Sequence, residues 1–324
     1  MKAPRFKKWF ASLPALNQPQ RIQVLNALRP AAGLHRLLAL IDHMRAPGRR
    51  CPHCRCEHWH RHGHANNLQR YRCRACRRTF NDLTGTPLAR LRLRGKWLDY
   101  LDALLASHPV RAAAAQLQVH RNTAFRWRHR FLDRVKDKGP TRLNGIAEAD
   151  EMFILESQKG ARKLDRSPRK RGGRAGKRGI SRELDCVLVA RDRSGQTIDA
   201  VTGRGAVSKQ QLERHLLPWL DPQVLLVTDS HAAYRAFARA HSIAHQAVNL
   251  RAGERVRQDA AGAIHVQNVN GYHRRLREWL APFHGVASRY LPNYLGWCRA
   301  LDGRRIASAD QLLHLAIGPI NSER

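Results

Sequence analysis

Four cysteines stand in two matched pairs, Cys51-Pro-His-Cys54 and, eighteen residues further on, Cys73-Arg-Ala-Cys76. Each CxxC turn presents two thiolates, and two such turns complete the tetrahedron that zinc prefers, so the pattern predicts a structural zinc ribbon. A redox dithiol needs one such motif, not two. Cys56 and the histidines His53, His58, His60, His62 and His64 lie close by; they read either as spare ligands or as a solvated surface facing nucleic acid. Cys186 and Cys298 sit among apolar residues and read as core.

A second chemistry needs carboxylates. Asp150 lies inside the apolar stretch IAEADEMFI (146–154), where an ionised side chain is costly unless it meets a cation or another partner. Asp229 ends the apolar run VLLVTD (224–229) and precedes a helical pattern, the carboxyl end of a strand where α/β sheets place their sites. Two aspartates on neighbouring strands can share divalent ions, and Mg²⁺ or Mn²⁺ held by carboxylates takes phosphate oxygens at its free positions. Ordinary roles remain open for both: Asp229 as the N-cap of the next helix, Asp150 as a surface residue sharing a face with Glu148. In a regular strand Glu151 points to the opposite face and is left out of the set.

The elements that must carry these residues follow from the pattern. Residues 1–46 read as short helices, with Ile22, Leu25, Leu28 and then Leu34, Leu37, Leu38, Ile41 at helical spacing. Residues 47–84 are poor in aliphatics and need the metal in place of a core. Residues 85–138 read as three helices forming a helix-turn-helix. In the third, Ala124, Trp127, Phe131 and Val135 share an apolar face, while Asn122, Arg126 and His129 lie opposite with Arg130 beside them. Asn reads adenine and Arg reads guanine by paired hydrogen bonds in a major groove. Residues 140–324 alternate strands (146–155, 184–190, 197–201, 224–227, 244–248) with helices (210–220, 231–241, 270–280, 291–301), which predicts an α/β layer domain with a mixed sheet. Residues 157–182 form a basic loop: between Lys159 and Arg182 there are eleven Lys or Arg and one acid, Asp165.

Composition narrows the partners. The 324 residues carry 59 Lys plus Arg against 25 Asp plus Glu, a formal charge of +34. So large an excess of one sign favours a polyanion, and nucleic acid fits best. With 43% hydrophobic residues the chain builds real cores. No apolar run reaches membrane-spanning length, and the N-terminal apolar stretch, broken by Pro14, Asn17 and Pro19, is a poor signal peptide.

The order of zinc ribbon, helix-turn-helix, EADE (148–151), VTDSHAAY (227–234) and HVQNVNGYHRRLR (265–277) resembles the zinc-ribbon insertion-sequence transposases of bacteria, relatives of the eukaryotic Merlin elements. The likeness runs from about residue 47 to 301. It implies an RNase H-like catalytic domain with a DDE-type triad, in which Asp150 and Asp229 match the first two acids. The third position is Asn270 rather than Glu, and Arg277 stands where a Lys is usual. An amide oxygen still ligates a metal but brings no charge. The resemblance therefore implies a DNA transposase that binds the terminal inverted repeats of its element and performs metal-dependent cleavage and strand transfer. It further implies zinc for the ribbon, Mg²⁺ or Mn²⁺ at Asp150, Asp229 and Asn270, double-stranded element-end and target DNA as partners, and a homodimer or larger assembly on DNA. The expected place is the bacterial cytoplasm, with the nucleoid. Asn270 keeps a second reading open, a catalytically inactive or repurposed DNA-binding regulator; a structure-selective nuclease is a third.

Overall fold

The computed structural model describes residues 2–137, 139, 142–170, 172–248, 256–259 and 262–318. The segment limits expected at 138, 140 and 324, and residue 171 of the basic loop, lie outside the described residues. The chain divides into two compact units, Met1–Trp127 together with Ser308–Arg324, and Arg128–Ala307.

In the first unit, α1 (Ala3–Ser12) and α2 (Gln18–Arg45) open the chain. The expected short helices are largely one 28-residue helix. Asn17 and Pro19, which look like interruptions in sequence, are its start signal. The Asn17 side chain accepts from Gln20 N, Gln20 reaches back to the Asn17 N–H, and a proline in the first turn forfeits no hydrogen bond. Leu37 and Ile41 are buried, while Ile22, Leu25 and Leu28 stay exposed, so only the second half of the apolar pattern reaches a core. Next come the antiparallel strands β1 (Trp59–Ala65), β2 (Leu68–Cys73) and β3 (Thr79–Phe80). The helices α3 (Trp97–Leu105), α4 (Val110–Gln116) and α5 (Arg121–Leu132) follow. The Tyr100 hydroxyl donates to Ala124 O across 2.6 Å and packs edge-on against Trp127, which fixes α5 on α3. The last helix, Ala309–Ile317, also belongs to this unit, where Asp310 takes a salt bridge from Arg36 at 2.9 Å.

The second unit is a mixed five-stranded sheet with helices on both faces. Its strands are β4 (Ile146–Leu155), β5 (Leu184–Asp192), β6 (Thr197–Arg204), β7 (Leu225–Asp229) and β8 (Ala244–Val248), in the order β6-β5-β4-β7-β8. β4 pairs antiparallel with β5 and parallel with β7, and β7 is parallel to β8. The fold is the α/β class with a mixed sheet expected from the sequence. A small hairpin of β9 (Arg257–Asp259) and β10 (Gly262–Ile264) has no counterpart in that reading. The helices are α6 (Lys209–His215), α7 (Ala232–Ala240), α8 (Gln267–Leu280) and α9 (Leu291–Asp302).

Strand alternation sorts the side chains between two cores. Ala147, Ala149 and Leu226 pack with Tyr234 and Phe237. Met152 and Val227 pack with Val269, Tyr272 and Leu276 of α8. Each core lies on its own face of the sheet, as period-two strands require. Glycine is needed where α9 meets the chain leaving α5: a Cβ at Gly296 would sit 2.3 Å from the Cα of Lys136. Gly296→Ala is therefore expected to cost about 1–3 kcal/mol through overpacking against backbone, read as a lowered denaturation midpoint with an unchanged m-value.

Candidate functional site

The cysteine site forms from local geometry. The residues after each knuckle, Arg55 and Arg77, both take a left-handed conformation (φ 61°). Matching bonds close the two turns, Cys51 N–H to Cys56 O at 2.9 Å and Cys73 N–H to Arg78 O at 3.0 Å. The ligand atoms of Cys51, Cys54, Cys73 and Cys76 all lie within 4.8 Å of one another, with Cys51–Cys76 Sγ atoms 3.6 Å apart and Cys54–Cys73 3.5 Å. A tetrahedron with zinc–sulfur arms of ~2.3 Å has edges of about 3.8 Å, so four thiolates in this arrangement fit zinc. Burial pushes the Cys51 thiol up to about 12, while the Cys76 backbone N–H draws Cys73 down to about 6. Four crowded sulfurs ionise together only around a cation. Cys56 is turned aside, its sulfur accepting from the His58 N–H at 3.3 Å. A small aromatic core of Tyr71, Phe80 and Trp59 supports the ribbon, with the Arg49 guanidinium 4.4 Å from the Tyr71 ring.

The two aspartates are brought together by strand register. Pairing runs Ala147 with Leu226, Glu148 with Val227 and Ala149 with Thr228. The next step places Asp150 beside Asp229, on strands about 4.8 Å apart. Both share the face that packs under α8, because Met152 and Val227 do. Burial, and then the neighbouring charge of Asp229, push Asp150 up to about 6; the Glu151 N–H, at 2.9 Å, and Arg277 pull the other way. Asp229 is half-buried and accepts from His231 N at 3.0 Å. The N-cap of α7 is His231, whose ring takes the Ala233 N–H, so capping does not account for Asp229.

Helix α8 supplies the third side of the site. Asn270, His273 and Arg277 fall on one stripe of it at spacings of three and four. His273 Nδ1 lies 3.7 Å from Asp150 Oδ2. Asn270 and Arg277 are exposed, and Arg277 is near enough to act on Asp150. His273 is a residue the sequence reading missed; its spacing from Asn270 was the available signal. Burial, then Arg277, hold its imidazole down to about 4, so it stands neutral beside the carboxylates.

Glu148, expected to share a face with Asp150, does so, but fully buried. Its carboxylate accepts from Val269 N at 2.9 Å and pairs with Arg193 (2.8 Å) and His265 (3.2 Å). It thereby ties the first turn of α8 to β4, one residue before Asn270, where an anion also suits the helix N-terminus. Glu151 faces the opposite side, as a regular strand requires, and accepts from the Tyr234 hydroxyl. Burial first, then the charges of Asp150 and Asp229, raise it to about 7.

Of the expected DNA-reading residues, Asn122, Arg126 and Arg130 are exposed. The His120 ring caps α5 by taking the Asn122 N–H at 3.2 Å. His129 departs from the expectation: its ring stacks on Tyr290 at 3.8 Å and meets Asn293 at 3.2 Å. Burial, then Arg128 and Arg289, hold its pKa to about 4. Arg128 is fully buried against the rings of Phe283, Tyr294 and Trp297. Part of the basic loop is likewise spent internally, since Arg166 and Arg169 pair with the buried Glu156 at 2.9 and 3.4 Å.

A match to the ISXO2-like transposase domain covers residues 142–297, and a match to the homeodomain-like helix-turn-helix domain covers 88–143. The chain is 30% identical over 258 residues to a Halobacterium salinarum protein described as an uncharacterized protein in transposable element ISH50, spanning 79% of this chain and 84% of that one. Among solved structures it aligns with a pre-cleavage Mos1 transpososome (17% identity, TM-score 0.20, 63% of this chain and 78% of that one). It also aligns with the Mos1 mariner paired end complex with Mn (15% identity, TM-score 0.19, 63% and 75%). Likenesses that slight carry no weight.

Two outcomes are expected. Purified protein carries about one zinc per chain, and Cys51→Ser loses it together with hydrogen-exchange protection in β1 and β2; full protection without metal contradicts the site. Asp150, raised above its unfolded value, costs stability as pH rises through about 6. Without added divalent ions, Asp150→Asn is thus expected to stabilise the protein by about 1–2 kcal/mol at pH 8 and by nothing measurable near pH 4, in paired thermal melts.

Proposed function

The chain belongs to the ISXO2-like transposase family, and on that premise we propose that it is an active DNA transposase. In this reading it binds the terminal inverted repeats of an insertion sequence and catalyses cleavage and strand transfer. The observation that carries the reading is the in-register placement of Asp150 beside Asp229 beneath a helix bearing Asn270 and Arg277. The zinc ribbon and the helix-turn-helix hold the ends; Asn122, Arg126 and Arg130 face the groove, and His129 is excluded from that role by its stacking on Tyr290.

The donor set fits hard divalent cations: two adjacent carboxylates, one of them raised by burial and then by its neighbour's charge, and an amide oxygen. When bound, Mg²⁺ or Mn²⁺ supplies Lewis acidity and activates the attacking oxygen. Asp150 and Asp229 hold the cations. Asn270 orients through its amide without adding charge, and Arg277 contacts a phosphate oxygen near the reacting bond. Neutral His273 packs beside Asp150 without competing as a cation. Joining two ends in one event calls for a dimer or larger assembly on DNA.

Labelled element-end DNA, target DNA and Mn²⁺ give the test. Asp150→Ala and Asp229→Ala should each lower joined product by at least ~10³-fold, the scale of a lost charge-stabilising group, with end binding retained. Full strand transfer by either variant rejects the site. The exposed, uncharged Asn270 favours one rival, a regulator without chemistry. Wild-type protein that shifts end DNA but neither cuts nor joins it, while Asn270→Glu gains cutting, identifies that rival.

A further inference from the structure

The second unit holds a cavity of about 240 Å³ where the β5–β6 turn meets the end of α9. None of Asp150, Asp229, Asn270 and Arg277 lines it. Its walls are the turn at 194–197 and four arginines, Arg191, Arg299, Arg304 and Arg305, with one acidic residue, Asp302. The volume is that of about eight waters and falls below the ~300–1,000 Å³ of pockets for whole small molecules. A single compact group fits it.

Charge says which group. Asp302 is already shared between Arg191 at 2.7 Å and Arg275 at 2.8 Å. Arg299 is matched by Asp199 behind it, and its Nη2 donates to Lys136 O at 2.7 Å. The Nε of Arg299, a residue only 5% exposed, has no hydrogen-bond partner among the described residues. Burial and then the charge of Arg299 lower the pKa of Arg305, and the lining itself sets four arginines against the single acid Asp302. The turn beside them is rigid: Asp192 accepts from Ser194 Oγ at 2.7 Å and Gln196 N at 2.9 Å. Guanidinium forks on a fixed frame suit a tetrahedral oxyanion, and phosphate above all.

We propose that this cavity is a second DNA-contacting site of the protein, gripping one backbone phosphodiester of a duplex remote in sequence from both the recognition helix and the aspartate pair. It deepens the transposase reading and rests on its DNA-binding part alone. A phosphate contact carries no sequence information but fixes the register of the duplex, a task separate from reading the element's ends.

The test uses the full chain without divalent ions, so strand joining does not enter and the transposase reading fails or stands separately. Affinity for an arbitrary duplex is measured by fluorescence anisotropy across a salt series, for wild type, Arg304→Gln and Arg304→Glu. Arg304 is exposed, and equal melting temperatures show that the variants fold; Arg305→Gln is the second position. The slope of log affinity against log salt should shrink by about 0.9 for one lost phosphate contact, with Arg304→Glu losing more affinity than Arg304→Gln. An unchanged slope in all three variants overturns the proposal. In a parallel arm, ³¹P line broadening of inorganic phosphate that disappears in the variants while the DNA slope holds assigns the cavity to a free anion and overturns the DNA assignment.

Discussion

The parallel pairing of β4 with β7 sets two aspartates, 79 positions apart in the chain, side by side. Its register is held by alternation. Ala147, Ala149 and Leu226 belong to one core and Met152 and Val227 to the other, so a slip of one residue would turn every side chain of the strand to the wrong face. The same alternation sends Asp150 and Asp229 to the α8 side and Glu151 to the Tyr234 side. Glu148 completes the geometry from beneath, its carboxylate fastened to the first turn of α8. Two buried cores and one buried acid thus fix three chain segments around one small space.

That arrangement is electrostatically uncomfortable by itself. Desolvation and mutual repulsion lift Asp150 to about 6 and Glu151 to about 7, in a chain whose overall charge is +34. Carboxylates gathered in a strongly basic protein cost folding energy unless a cation joins them. The cysteine cluster obeys the same rule with softer ligands. In both places, side chains that repel one another are held close by backbone hydrogen bonding, which is what a metal site requires of its scaffold.

Much of this was legible because it was local or periodic. The paired CxxC turns declared themselves by spacing, and β4, β5 and β7 by apolar runs ending where the structure ends them, within two residues. Asp150 stood out as a charge inside an apolar strand. What was missed depended on partners distant in sequence. A helical wheel places His129 and Arg128 about an axis but cannot say that Tyr290, Tyr294 and Trp297, some 160 positions later, cover them. The burial of Glu148 depended on Arg193, His265 and the α8 backbone. Asn17 and Pro19 look like breaks because the reciprocal bonds of Asn17 with Gln20 appear only once the helix forms. Nothing near the basic loop in sequence marks Glu156 as the buried acid that Arg166 and Arg169 pair with.

The shared site is tested most directly by ferrous iron substituted for magnesium, with ascorbate and peroxide, so that hydroxyl radicals cut the backbone beside the bound ion. Clustered cuts near residues 150, 229 and 270 are predicted, all three lost together in Asp150→Ala and in Asp229→Ala. Cuts confined to one of these segments, or unchanged by either substitution, would contradict a single ion site built by the β4–β7 register.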